Sequence, residues 1–125
     1  MDITKKILVA DDDNNVLFLI SELLARHNYQ VFQAVNGDQA LREAGSLHPD
    51  LMVLDIMMPG IDGIEVCRRI KASPGTKDIK IIMLTAKASG RDIEAGMAAG
   101  ADHYLTKPFK INELTEKIMK LIGQS

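Results

Sequence analysis

The sequence has no tryptophan, a single cysteine and only four prolines in its 125 residues. One thiol, Cys67, cannot form a disulfide within the chain. That excludes a small cross-linked secreted scaffold and makes a reducing cytoplasm the natural compartment. Scarce proline and a lack of biased tracts exclude a fibre, a rigid spacer or a disordered tail. No apolar run approaches the roughly 20 residues that a membrane span needs. The first such run, residues 7–10, meets Asp11 at once and is too short for the core of a signal peptide. An excess of one charge is missing too. Fifteen basic and 17 acidic residues leave a net charge of −2, interspersed along the chain, with no basic footprint for nucleic acid.

What is present is ordinary globular chemistry, 46% hydrophobic and 26% charged, enough for one core in one domain over residues 1–125. Two patterns alternate. Apolar or β-branched runs at 6–10, 29–34, 51–54, 79–84 and 103–105 read as strands. Between them, Leu17, Ile20, Leu23 and Leu24 recur with helical spacing, as do Ile64, Cys67 and Ile70, and then Ile111, Leu114, Ile118, Leu121 and Ile122. Residues 37–44 and 90–98 read as weaker, alanine-rich helices. The runs 7–10 and 81–84 are apolar without alternation, as strands covered on both faces must be. The expected fold is therefore α/β, a five-stranded parallel sheet with helices on both faces; right-handed crossovers leave few topologies, among which the flavodoxin-like, doubly wound (βα)5 order 2-1-3-4-5 is a favoured one.

In such a sheet, ligands bind beyond the carboxyl ends of the strands where the connections change direction, here between strands one and three. Strand one ends in Asp11-Asp12-Asp13 and strand three in Asp55. Carboxylates brought this close repel by roughly 4 kcal/mol per pair at 4 Å and an intermediate dielectric. They call for a compensating cation. Oxygen ligands without a histidine or cysteine pair favour a hard ion, Mg²⁺ over Zn²⁺. Asp13, like Asn14 and Asn15, precedes an apolar-periodic helix and reads as a cap or turn residue. Asp55 follows Val53-Leu54 directly, where an uncompensated charge is costly, and reads as functional. Strands four and five end in Thr85 and, just beyond Leu105, Lys107. The first can donate a hydrogen bond and the second can neutralise phosphoryl oxygens; Ala86 leaves room for a donor to approach.

Four segments in order carry a resemblance: ILVADDD (7–13), LDIMMPGIDG (54–63), LTA (84–86) and GADHYLTKPF (100–109). Over essentially the whole chain they resemble the response-regulator receiver family of two-component signalling. The resemblance implies that Asp55 accepts a phosphoryl group from a sensor histidine kinase or a histidine phosphotransfer protein. Asp12 would bind Mg²⁺ directly, Asp11 mainly through water, and Met57 through its backbone carbonyl. Lys107 would pair with the phosphoryl group, Thr85 would move to bond it, and Tyr104 would swing inward behind it. The Lys107-Pro108 bond is expected to be cis. The helix four, strand five and helix five face would carry the output.

Two departures from the family pattern matter. Ala10 stands where valine is common, a small change. Met57 and Lys87 occupy the positions two beyond Asp55 and Thr85, the pair that tunes dephosphorylation; a bulky apolar Met57 implies a long-lived phosphoryl group.

Several residues take bland readings. His27, His48 and His103 show no metal-ligand spacing and read as surface or packing residues. Cys67 reads as a small buried hydrophobe and most methionines as core or loop filling. Asp62-Gly63 reads as a turn into helix three, with Gly63 tolerating unusual backbone angles. Phe18 and Pro108 flank the rim, with Phe18 either packed or part of a docking surface.

Rival classes were weighed on the same residues. An aspartate-nucleophile phosphatase needs a second acid where Met57 stands, so no enzyme is expected beyond self-phosphorylation and slow self-dephosphorylation. A flavodoxin-like cofactor binder needs amides, Ser and Thr after strand one, where three aspartates would repel phosphate. A receiver-shaped module that is never phosphorylated does not need the full reactive set. No direct nucleic-acid or membrane contact is expected, and the chain should be a monomer or a phosphorylation-dependent dimer. Whether it acts alone through a downstream protein or carries an output domain stays open.

Overall fold

Five strands alternate with five helices through residues 4–86 and 90–123, the part of the chain described by the computed structural model. The order is β1 (Lys6–Ala10), α1 (Asn14–Arg26), β2 (Gln30–Ala34), α2 (Gly37–Leu47), β3 (Leu51–Asp55), α3 (Gly63–Ala72), β4 (Lys80–Thr85), α4 (Gly90–Ala98), β5 (His103–Thr106) and α5 (Ile111–Ile122). All strand pairs are parallel, and the sheet runs β2-β1-β3-β4-β5, as expected.

Period-two alternation in the strands divides the core between two faces. Leu8, Met52, Leu54, Ile81 and Met83 pack with Ala40 and Ala44 of α2 and with Val66, Cys67 and Ile70 of α3. Ile7, Val9, Val53, Ile82 and Leu84 pack on the other side with Leu17, Ile20 and Leu24 of α1 and Leu114 and Ile118 of α5. The central strands β1, β3 and β4 are buried on both faces, which is why their runs show no polar alternation.

Caps set where the helices begin. Asp13 accepts from the Asn15 and Val16 amides at the start of α1, and Asp62 from the Glu65 amide at the start of α3. The capping role read for Asp13 is therefore what it performs. Several boundaries shift from the sequence reading by a residue or more, β3, β4 and β5 each running one residue further, to Asp55, Thr85 and Thr106. Helix α2 continues to Leu47 because the buried Ala40 and Ala44 seat it despite Gly45 and Ser46. Tyr29 precedes β2, and its hydroxyl donates to the Gly123 carbonyl at 2.9 Å, which ties the α1–β2 corner to the end of α5.

Candidate functional site

Strand register brings the acids together. Ala10 of β1 pairs with Leu54 of β3, so the next residues, Asp11 and Asp55, arrive level at the same edge of the sheet. Asp55 pairs with Leu84, and Thr85 with Thr106, so Thr85 and Lys107 each stand one step further along that rim. The Lys107 amide donates to the Thr85 carbonyl at 2.7 Å and locks the last two tips to each other. Parallel strands with single-residue offsets thus converge side chains that lie up to 96 positions apart in sequence.

Asp11 is fully buried. One of its oxygens accepts from the Asp13 amide at 2.9 Å, and the other accepts from Lys107 Nζ at 2.9 Å. Lys107 Nζ also lies 3.5 Å from Asp55 Oδ2, with the Lys107-Pro108 bond cis, as expected. Asp55 is buried, and its other oxygen accepts from the Met57 amide at 3.4 Å. Asp12 is exposed, yet one carboxylate oxygen from each of Asp11, Asp12 and Asp55 fits within 4.8 Å of the others. Three carboxylates thus cluster here, and Lys107 pairs with two of them, Asp11 and Asp55.

That imbalance bears on the acidity of Asp55. Burial, then the neighbouring Asp11 charge, push its pKa up to about 6, against the pull of Lys107 and the Met57 amide. For Lys107, burial works against the charged form, but the bonds to Asp11 and Asp55 outweigh it and hold the ammonium above its ordinary value. The site therefore stores excess negative charge around an ionisable oxygen. Hard, closely spaced oxygen donors of this kind suit a small divalent cation such as Mg²⁺.

Glycine shapes the floor of the site. A Cβ on Gly63 would overlap the Asp55 carbonyl oxygen, and the Gly63 amide donates to the Ile56 carbonyl at 2.9 Å. Gly63 is thus required for close approach of α3 to the strand end. The unusual backbone angle expected at Gly63 is found instead at Gly60, with φ +75°.

Thr85 is buried at the end of β4, and Tyr104 lies on β5 with its ring partly exposed. Met57 projects into solvent, 71% exposed beside the buried Asp55. Lys87 lies outside the described residues. Cys67 is buried under α3 and burial pushes its thiol up to about 11, in keeping with an inert packing role. His103 is kept from the metal cluster by its place on β5; burial, then Lys117 and Lys120, lower its pKa, and its Nδ1 lies 3.4 Å from Lys117 Nζ.

One feature beside the rim was only partly legible. A groove of about 370 Å³ lies between α1 and the segment after β5, lined by Val16, Leu19, Leu23, Pro108, Phe109 and Ile111, with Lys107 also in its lining. Pro108 was singled out from the sequence, but on α1 the groove uses Leu19 in place of Phe18. Phe18 is exposed and does not pack into the core. The clue was the width of the α1 stripe: Val16 and Leu19 extend it past the face that Leu17, Ile20 and Leu24 need for burial.

A doubly wound sheet with acids at the β1 and β3 tips, a hydroxyl at β4 and a lysine after β5 defines the class of receiver domains. The comparisons agree. A family model for the response regulator receiver domain matches residues 7–119, and the chain belongs to that family. The alkaline phosphatase synthesis transcriptional regulatory protein PhoP of Bacillus subtilis is 40% identical over 121 residues, 97% of this chain and 50% of that protein. The DNA-binding response regulator MtrA of Mycolicibacterium paratuberculosis is 40% identical over 114 residues, 91% of this chain and 49% of its own length. Among solved structures, the receiver domain of the sensor histidine kinase PA1611 from Pseudomonas aeruginosa has a TM-score of 0.89 at 33% identity, covering 98% of this chain and 100% of that one. A magnesium ion is coordinated in the active-site cleft of that structure.

The chain is thus the receiver domain of a two-component response regulator and spans about half the length of the curated relatives it matches. MtrA is named as DNA-binding, a property of that protein that runs against the expectation of no direct nucleic-acid contact made from this sequence. Among the described residues no helix is long and apolar enough to cross a membrane.

Proposed function

We propose that the domain is a phosphoacceptor switch in a phosphorelay. The observation that carries this reading is the buried Asp55 carboxylate, held beside Asp11 and Asp12 with Lys107 Nζ 3.5 Å from one of its oxygens. An ionised Asp55 oxygen attacks the phosphorus of a phosphohistidine. The O–P bond forms as the P–N bond breaks, and the electron pair stays on the imidazole. Phosphoryl transfer depends on alignment and charge neutralisation more than on covalent assistance, and this rim supports both.

Asp11, Asp12 and Asp55, with the Met57 carbonyl, would hold Mg²⁺; when bound, the ion supplies positive charge against the phosphoryl oxygens. Lys107 supplies a second positive charge, at the price of loosening its bond to Asp11. The Thr85 hydroxyl turns toward the new oxygens, and Tyr104 moves into the space behind it. The change is read on α4, β5 and α5, where Met97, Tyr104, Ile111 and Met119 are exposed.

The phosphodonor is a sensor histidine kinase or a histidine phosphotransfer protein. The apolar groove, lined in part by Lys107, supports a docking place for it, since Lys107 Nζ lies 3.5 Å from Asp55 Oδ2. The domain is a stoichiometric acceptor and not a turnover enzyme, because Met57 has no proton to shuttle. A cytoplasmic location fits that role. Incubation with acetyl phosphate and Mg²⁺ followed by intact mass tests the reading. Wild type should gain one phosphoryl group and Asp55→Ala none; a gain in both, or in neither, overturns it.

A further inference from the structure

We propose that Gly37, the first residue of α2, is a positioning residue for the divalent-ion site, because it sets the loop between β3 and α3 that carries the Met57 carbonyl. The inference deepens the phosphoacceptor reading and rests on its ion site. Gly37 is buried, and a Cβ added to it would overlap the Ile61 carbonyl oxygen and lie 3.0 Å from Ile61 Cβ. The obstacle is backbone, which has no rotamer into which it can retreat. Any side chain at this position therefore pushes the loop away from α2. Gly45, further along the same helix, would meet nothing within 4 Å, so the constraint belongs to the loop and not to the helix. Helix α2 is itself held in place: Asn36 caps it by accepting from the Gln39 amide at 2.8 Å, and Ala40 and Ala44 seat it in the core.

Where that push is absorbed follows from what anchors the rest of the loop. At the near end, the Ile56 amide donates to the Leu84 carbonyl at 3.0 Å, and the Ile56 carbonyl accepts from the Gly63 amide at 2.9 Å. At the far end, Asp62 caps α3 by accepting from the Glu65 amide at 2.8 Å. Between these anchors stands Gly60, at φ +75°, a residue whose added Cβ would lie 3.7 Å from Asp38 Oδ2 in the first turn of α2. The stretch from Met57 to Gly60 is thus the part free to yield when Ile61 is displaced. Its first member bears the carbonyl that would join the oxygens of Asp11, Asp12 and Asp55. Mg²⁺ demands a tight, near-ideal octahedral shell, so a small shift of one ligand costs affinity. Gly37 therefore acts on the ion site from another helix, without a ligand atom of its own.

Calorimetric titration of Mg²⁺ into the full chain tests this, together with thermal melts at zero and at one fixed Mg²⁺ concentration. Gly37→Ala should bind Mg²⁺ several-fold more weakly than wild type, and Gly45→Ala should bind it as wild type does. A ligand that binds the folded state stabilises it by an amount set by its concentration over Kd, so Mg²⁺ should raise the Tm of Gly37→Ala less than that of wild type. A glycine needed only for packing would lower both melts equally and leave Kd alone. That result overturns the proposal, as does an equal weakening in Gly45→Ala. Where Gly37→Ala does not fold, Asn36→Ala decides: it keeps the glycine, removes the cap that holds the start of α2, and should also weaken Mg²⁺ binding. Unchanged affinity in that variant overturns the proposal. Wild type that binds no Mg²⁺ sinks the ion site of the phosphoacceptor reading and this role for Gly37 with it, whereas wild-type binding with the same Kd in Gly37→Ala sinks the role alone.

Discussion

Opposite ends of the sheet each hold a lysine against aspartate, and they are built to different rules. At the entry to β4 and β5, Lys71 Nζ bonds Asp102 Oδ2 at 3.0 Å and the Ile79 carbonyl at 2.7 Å. The same Asp102 oxygen accepts from the Ile81 amide at 2.9 Å. One cation meets one anion, and backbone groups take up further hydrogen bonds. At the exit, Lys107 meets Asp11 and Asp55, with Asp12 close by. The first arrangement is balanced one to one; the second is short of positive charge. A balanced buried pair fixes geometry, whereas an unbalanced one is poised to take a cation or a transferred group.

The largest expected effect on stability belongs to the balanced end. Lys71→Ala strands Asp102 and should cost about 2–3 kcal/mol, slightly below the loss for a fully buried pair because both partners keep some solvent. Urea titration reads it directly. The same variant should still gain a phosphoryl group, since Lys71 lies away from the rim; loss of phosphoryl gain would erase the contrast between the two ends.

At the unbalanced end, removing charge should have the opposite sign. Asp55 has a folded pKa of about 6 against an ordinary value of 3.8. Between these values the folded protein keeps a proton that the unfolded chain has lost. Stability therefore falls as pH rises through that window and does not recover above it. Asp55→Asn should accordingly be more stable than wild type at pH 7 without divalent ions, by on the order of 1–3 kcal/mol. The advantage should vanish near pH 4 and shrink on adding Mg²⁺. Thermal melts at the two pH values check it; a variant no more stable at pH 7 would show that Lys107 already balances the site.

The smallest effect sharpens the comparison without touching either lysine. Asp62→Ala removes the α3 cap and should cost about 1 kcal/mol. Because α3 starts at Gly63, pressed against the Asp55 carbonyl, fraying there should also slow phosphoryl gain. An equal loss of stability with an unchanged rate would make the cap purely structural.

Much of this was readable in advance. Asp11, Asp55 and Thr85 stand immediately after apolar runs, with Asp12 and Lys107 one residue further on, and an ionisable group at the end of a buried strand is expensive enough to advertise a purpose. The caps at Asp13 and Asp62 were legible because their reach is local. Gly63 was misread because its constraint is a close approach to Asp55, not a backbone angle of its own. Leu19 was missed because an exposed apolar residue on a helix lines a groove only where a neighbour arrives beside it, and the segment after β5 comes from the far end of the chain.

By itself, the sequence determined the alternation of strands and helices, the parallel sheet and the identity of the acids, because periodicity and hydrophobic burial act over short stretches of chain. Only the tertiary structure decided which carboxylate oxygen Lys107 holds, how far Asp55 is pushed from its ordinary acidity, and where an apolar groove opens. Those depend on distances of a few ångströms between distant segments. Electrostatic and packing energies change steeply over such distances, and residue order does not specify them.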